Sequence, residues 1–240
     1  MNELALFAGA GGGILGGHLL GWRTVCAVEQ DPYAASVLAA RQNDGILAPF
    51  PIWDDVCTFD GKPWQGLVDV VSGGFPCQDI SVAGDGAGLD GERSGLWREM
   101  RRIIGEVRPR HVFVENSPAL TFRGLGRVLG DLAEMGFYAR WGVLGGHAIG
   151  CPANGERIWI VATQTHGKHG QKGMGVWRSN EPQVQQTGSP GHVADAWKGT
   201  QPHRDRMVDG MAGRMDRLKA LGNGQVPGLA AAAFTELSKQ

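Results

Sequence analysis

Apolar residues over the first two thirds of the chain fall into short dense runs separated by stretches of wider, helical spacing. Residues 4–7, 24–28, 67–72, 111–115, 138–144 and 157–162 are rich in Leu, Val, Ile, Phe and Ala and are predicted to be strands. Residues 13–20, 32–41, 94–107 and 122–135 are predicted to be helices. Asp31-Pro32 supplies a helix start, a capping side chain followed by a ring whose φ suits the first helical position. Such alternation predicts an α/β fold, a parallel sheet wrapped by helices. Residues 164–206 break the pattern. They are rich in Gly, Gln, Pro, Ser and His, lack a long apolar period, and predict a small loop-rich insert rather than a second core. Order returns at 218–221, followed by a Gly222-Asn223-Gly224 turn and a helix over 228–237. The chain thus divides into a core (1–163), an insert (164–206) and a C-terminal segment (207–240), with no internal repeat.

Composition narrows the class. Of 240 residues, 42% are hydrophobic and 20% charged, as in an ordinary soluble protein with a real core. No apolar run approaches the ~20 residues of a membrane span. The start, Met1 to Phe7, has no basic region, so no signal peptide is expected. Cys26, Cys57, Cys77 and Cys151 form no CxxC pair, which argues against zinc and a disulfide framework and for a reducing, cytoplasmic compartment. Net charge is -1 and announces no polyanion partner. Its distribution is less even. Residues 164–206 hold six Lys/Arg, three Asp/Glu and four of the seven histidines, and Arg93, Arg98, Arg101, Arg102, Arg108 and Arg110 form a second basic group. Both groups suit phosphate contacts, and both suit solvated helix faces.

The densest chemistry lies in Gly73-Gly74-Phe75-Pro76-Cys77-Gln78-Asp79-Ile80-Ser81, directly after a predicted strand. Reacting groups gather at the carboxyl ends of strands in open α/β sheets. Pro76 fixes its own φ and steers Phe75 to an extended conformation, so Cys77 is presented by a stiff bend. A lone cysteine is more often a small buried hydrophobe. Here it stands in a glycine-rich turn among other candidate groups. Near the N-terminus, Phe7-Ala8-Gly9-Ala10-Gly11-Gly12-Gly13 follows the first predicted strand and opens a helix. Gly11-x-Gly13-x-x-Gly16, with Glu29 at the end of the next strand, matches a dinucleotide fingerprint and fits nicotinamide and adenosyl binding equally, because an acidic side chain can accept two ribose hydroxyls in either. Asp55, near the end of a third strand, suits an adenine amino group, and equally a plain turn.

Taken together the segments resemble the DNA (cytosine-5) methyltransferase family, in the style of its compact phage and prophage members. In order they are Leu6-Phe7-Ala8-Gly9-x-Gly11-Gly12, Val28-Glu29-x-Asp31-Pro32-Tyr33-Ala34, Asp54-Asp55-Val56, Gly74-Phe75-Pro76-Cys77-Gln78-x-x-Ser81, Val114-Glu115-Asn116, Gly150-x-Pro152-x-Asn154-x-Glu156-Arg157-x-x-Ile160-Val161 and Ala220-Leu221-Gly222-Asn223-x-x-Val226-Pro227. They span nearly the whole chain outside 164–206. The resemblance implies a Rossmann-like methyltransferase sheet with helices on both faces, S-adenosyl-L-methionine as donor, and a flipped cytosine of double-stranded DNA as acceptor. It makes 164–206 a short target-recognition region and packs the C-terminal segment back on the core. A cognate restriction nuclease becomes a candidate partner.

Roles follow residue by residue. Cys77 matches the thiolate that adds to cytosine C6, Glu115 the acid facing N3, Arg157 the cation on O2, and Asn116 a group that holds the site's backbone. The adenosyl site would comprise Phe7, Ala8, Gly9, Gly11, Glu29, Gln30, Asp55, Val56, Gly74, Pro76 and Asn223. DNA would meet Gln78, Ser81 and Arg93, the last on a loop over 82–95 that matches the family's closing catalytic loop. Arg93 also suits a plain surface charge at a helix start. The family's Gln-x-Arg-x-Arg is here Ala153-Asn154-Gly155-Glu156-Arg157, so one arginine is missing, and Ser117 replaces a common valine. Three other readings compete: a tRNA cytosine-5 methyltransferase, a catalytically silent DNA-binding protein on the same fold, and a nicotinamide oxidoreductase, which leaves Cys77 and Glu115 without roles.

Overall fold

Eight strands form one sheet in the order β3-β2-β1-β4-β5-β7-β6-β8. The computed structural model describes residues 1–76, 95–150, 155–165, 175–176, 216 and 224–239. Along the chain run β1 (Asn2–Leu6), α1 (Gly12–Leu19), β2 (Arg23–Val28), α2 (Pro32–Asn43), β3 (Ile52–Trp53), β4 (Val70–Gly73), α3 (Gly95–Val107), β5 (His111–Asn116), α4 (Leu120–Arg123), α5 (Leu125–Glu134), β6 (Phe137–Leu144), β7 (Arg157–Gln164), β8 (Gly175–Val176) and α6 (Pro227–Ser238).

The expected parallel sheet is mixed. β1 to β5 pair in parallel, but β7 inserts between β5 and β6 and runs antiparallel to both. The connection from β6 to β7 explains this. Its described part is a 3-10 turn, Gly146–Ile149, with no crossover helix to return the chain in parallel. Other differences are local. The strand expected over 67–72 begins only at Val70, and the third strand is two residues long, with Asp55 just beyond it. The helix expected over 122–135 breaks at Gly124, whose backbone (φ 179°, ψ -2°) leaves the helical region between α4 and α5. β8 puts a two-residue strand inside the segment expected to be loop-rich. Asp31 does cap α2, its Oδ1 accepting from the Tyr33 and Ala34 amides at 3.0 and 3.2 Å, an arrangement worth about 1 kcal/mol.

Strand periodicity divides the core in two. On one face Leu4, Leu6, Val71, Val112, Val114, Ile158 and Ile160 pack with α3, α4 and α5. On the other, Val70, Phe113, Trp159 and Val161 pack under α6, and Ala5 and Ala27 under α1 and α2. Successive side chains of one strand point to opposite faces, so each strand feeds both layers. Gly16 lets α1 and α6 meet closely, since a Cβ there would stand 2.8 Å from that of Ala230. Glu3 is buried on the α1 face. It accepts hydrogen bonds from Ser72 Oγ at 2.6 Å and Thr24 Oγ1 at 2.7 Å, and burial pushes its carboxyl up to about 7.

Candidate active site

β1 is where the sheet order reverses: its chain continues to β2 on one side, while β4 pairs on the other. The carboxyl ends of two such strands leave a crevice between them. In this crevice the turn after β1 is wound tightly, with Phe7, Gly9 and Gly11 all at positive φ (52°, 55° and 90°). For Phe7 that conformation is sterically strained, and such strain concentrates at functional turns. Gly73 has no room for a Cβ, which would stand 2.6 Å from the Leu6 carbonyl. The resulting cavity is lined by Phe7, Ala8 and Gly9, by Ser72 to Gly74, and by Glu115 and Gln225.

Glu29, at the end of β2, accepts the Gly9 amide on Oε2 and the Asp31 amide on Oε1, both at 2.7 Å. It thereby locks the turn after β1 to the start of α2. Each oxygen retains a second lone pair for a ligand hydroxyl. Asp55 accepts the Cys57 amide at 2.8 Å. Val56 is buried in the α3-side core and Gln30 is exposed. Phe7, Ala8, Gly9 and Gly74 therefore line one cavity, with Glu29 bonded to its rim. Gly11, Gln30, Asp55, Val56 and Pro76 are not among its lining residues, and Asn223 lies outside the described residues. A tight cradle with an acidic rim fits an adenosyl group. Gly13 of the fingerprint also lines this cavity, where it faces Gln225, while Gly16 faces Ala230 and serves packing between α1 and α6.

Glu115 is buried at the end of β5, on the face shared with Phe113 and Trp159. Arg157, two residues before Trp159 on antiparallel β7, reaches the same face, and its Nε meets Glu115 Oε1 at 2.9 Å. Gln225 Nε2 donates to Oε2 at 3.4 Å. Burial raises the Glu115 carboxyl to about 7, while Arg157 and then Gln225 oppose it. Such a group is half-protonated near neutrality. Asn116 points away from Glu115. Its Nδ2 donates to the Phe75 carbonyl at 2.9 Å and its Oδ1 accepts the Ser117 amide at 2.8 Å. Phe75 in turn is buried against Trp97 of α3, ring centroids 5.4 Å apart. The bend that leads to Cys77 is thus held from both sides. Cys77, Gln78, Ser81 and Arg93 lie outside the described residues, and Pro76 is the last described residue of the bend.

Two of the arginines considered for phosphate contacts are committed elsewhere. Arg102 pairs with Glu99 and Glu106 and donates to the Val56 and Phe59 carbonyls, clamping α3 to the loop after β3. Arg101 pairs with Asp131 and Glu134 of α5. Gln225 is the site residue that sequence reasoning missed. It occupies an unassigned position inside Gly222-Asn223-x-x-Val226-Pro227, and its one signal is a polar side chain just before an apolar helix.

Comparison with known proteins identifies relatives of this chain. The family model for C-5 cytosine-specific DNA methylase matches residues 1–209. Type II methyltransferase M.PspPI of Psychrobacter sp. (strain TA137) is 39% identical over 131 residues, covering 54% of this chain and 30% of the relative. Type II methyltransferase M.Eco47II of Escherichia coli is 35% identical over 172 residues, covering 67% and 39%. This chain therefore spans well under half the length of these relatives. Among solved structures, a putative DNA modification methyltransferase encoded within an E. coli prophage superposes with a TM-score of 0.57 at 22% identity, over 68% of this chain and 47% of the other. At that identity the likeness is one of fold.

Proposed function

The chain belongs to the C-5 cytosine-specific DNA methylase family, and from that premise we propose that it methylates C5 of cytosine in DNA, using S-adenosyl-L-methionine and a covalent bond from Cys77 to C6 of a flipped-out base. The observation that carries this reading is Glu115. It is a buried carboxyl poised near pH 7, clamped by Arg157, with one oxygen 2.6 Å from where a Cβ of Gly74 would stand, three residues before Cys77. A proton donor and a fixed cation beside the bend that leads to a nucleophile suit a reaction that builds negative charge on a ring.

The donor, when bound, supplies an electrophilic methyl group. The chain's residues make the acceptor reactive. The Cys77 thiolate forms a bond to C6, and the displaced ring electron pair moves toward N3 and O2. Protonated Glu115 meets N3, and Arg157 meets O2. C5 then bears enamine character and would bond to the methyl carbon as the bond from that carbon to the donor's sulfur breaks, the sulfur keeping the electron pair and leaving as a neutral thioether. Loss of the C5 proton to water and rupture of the sulfur–C6 bond restore aromaticity and free the thiolate. Asn116 acts at a distance, fixing the Phe75 carbonyl and with it the bend. Glu29 suits the donor's ribose hydroxyls. The base must leave the duplex to reach this site, at roughly a few kcal/mol of unstacking and unpairing.

Purified chain incubated with radiolabelled donor and either duplex DNA or tRNA tests the reading, followed by bisulfite sequencing of the DNA product. Label at C5 of cytosine in duplex DNA is expected. Cys77→Ala should abolish it and should also abolish trapping on 5-fluorocytosine DNA. Label confined to tRNA, or on an exocyclic nitrogen, refutes the proposal.

A further inference from the structure

Gln225 stands where two strand-end turns meet a carboxylate. A Cβ on Gly12 would overlap the Gln225 carbonyl, and one on Gly13 would stand 2.5 Å from its Oε1. From the other side, a Cβ on Gly74 would stand 3.3 Å from its Nε2. Gly13, at the start of α1, and Gly74, after β4, thus leave the space that this side chain fills, while Gly12 admits its backbone. Its Nε2 donates to Glu115 Oε2 at 3.4 Å, while Arg157 Nε holds the other oxygen at 2.9 Å.

We propose that Gln225 is a positioning residue for Glu115: its amide fixes the second carboxylate oxygen and ties it to the glycine turn of the cofactor cavity. This rests on the reading of Glu115 as the group that faces the base. A carboxyl group held through one oxygen still rotates about its last torsion, which is broad. A donor on each oxygen sets the plane and hence the direction in which the proton points. The amide N–H also favours the ionised carboxylate and so works against burial. Among the described residues, the charged group that faces Glu115 is Arg157 from β7. Gly74 brings only backbone, and Gln225 brings its neutral amide.

Gln225→Met keeps the length of the side chain and removes both amide atoms. In single-turnover methyl transfer at saturating donor, the pH midpoint assigned to Glu115 should move up by about half a unit, as expected for loss of one long hydrogen bond to a charged group. The plateau rate should fall while donor affinity stays within about threefold, less than one factor of ten in binding. Gln225→Glu adds a like charge and should move the midpoint further in the same direction. Gly13→Ala pushes the amide out and should reproduce the Gln225→Met shift, with no further shift in the double variant. An unmoved midpoint in Gln225→Met, or full additivity with Gly13→Ala, overturns the proposal. Carboxyl-13C NMR titration of Glu115 in the parent and the variants reads the same tie without turnover. An unmoved Glu115 titration overturns the positioning role. Failure of the parent to methylate cytosine, with the NMR shift intact, overturns the proposed function and leaves the tie standing. If Gln225→Met fails to fold, Gly13→Ala and Gln225→Glu supply both readouts.

Discussion

Glu3→Gln should make the protein more stable, and increasingly so as pH rises. Glu3 is 1% exposed, in a strand beneath α1, and among the described residues no cation is paired with it. Its carboxyl is raised from 4.5 to about 7, first by burial, with the Ser72 and Thr24 hydroxyls opposing. The sign follows from proton counting. Between pH 4.5 and 7 the folded chain holds a proton at Glu3 that the unfolded chain releases, so stability from this group falls as pH rises through that window. The full penalty, present above about pH 7, is about 3 kcal/mol at 1.36 kcal/mol per unit. Glutamine mimics the protonated acid: one acceptor oxygen for one hydroxyl, and an amide NH2 that donates to the other. The gain of Glu3→Gln over the parent should therefore grow by about 2–3 kcal/mol between pH 5 and pH 8. Urea unfolding of both proteins at the two pH values measures it, and taking the difference between them cancels every other titrating group, Glu115 included. A gain that is equal at both pH values would refute the burial argument. So would a loss at pH 8, which would mean that the ionised form is better satisfied by its hydroxyls than desolvation allows.

Glu29→Ala removes the acceptor of both the Gly9 and Asp31 amides and should weaken donor binding by roughly tenfold or more, given about 1.5–3 kcal/mol per hydrogen bond to a charged group; calorimetry that returns an unchanged dissociation constant removes Glu29 from the ribose site. Arg157→Ala deletes the first-ranked influence holding the Glu115 carboxyl down, so the Glu115 midpoint should move up. Methyl transfer should slow by about 10²-fold or more, as when one fixed donor to developing charge is lost, while donor affinity changes little. A rate within a few-fold of the parent would separate Arg157 from the chemistry.

Local signals explain which parts of the fold were legible. Asp31-Pro32 starts α2 where the residue types demand, because a cap is set by three or four consecutive residues. Runs such as residues 111–115 became strands because a short dense apolar run, buried on both faces of the sheet, is written in the sequence itself. What failed was what depends on partners. The reversed direction of β7 goes with a connection whose described part is a 3-10 turn rather than a crossover helix, and apolar patterning is blind to direction. The break at Gly124 sits inside a pattern that stays amphipathic across it, so apolar spacing alone joined α4 to α5. Arg101 suited a phosphate contact or a solvated face because the acids that claim it, Asp131 and Glu134, lie far along the chain, whereas those that claim Arg102, Glu99 and Glu106, are one helical turn away. The Glu3 cluster was equally hidden: one charge in an apolar strand reads as an edge residue until Thr24 and Ser72, from the two neighbouring strands, are seen to converge on it.

The candidate site shows the same division in sharper form. Glu115, Asn116 and Arg157 were named from short motifs, but the reason they form one unit is a strand register. Pairing Glu115 with Trp159 and Asn116 with Ile158 sets Arg157 diagonally across from Glu115 on one face, and turns Asn116 to the other face, toward the Phe75 carbonyl. Slipping β7 by one residue would send Arg157 to the wrong face and leave a buried carboxylate without its cation. The identity of those residues is therefore only half of the chemistry, and the antiparallel strand that the sequence pattern could not orient supplies the other half. The same holds at the opposite edge of the cavity, where Gln225 reaches Glu115 only because α6 packs against α1 through Gly16 and Ala230. A substitution that widens that helix contact, such as Gly16→Leu, should thus loosen Glu115 without touching it.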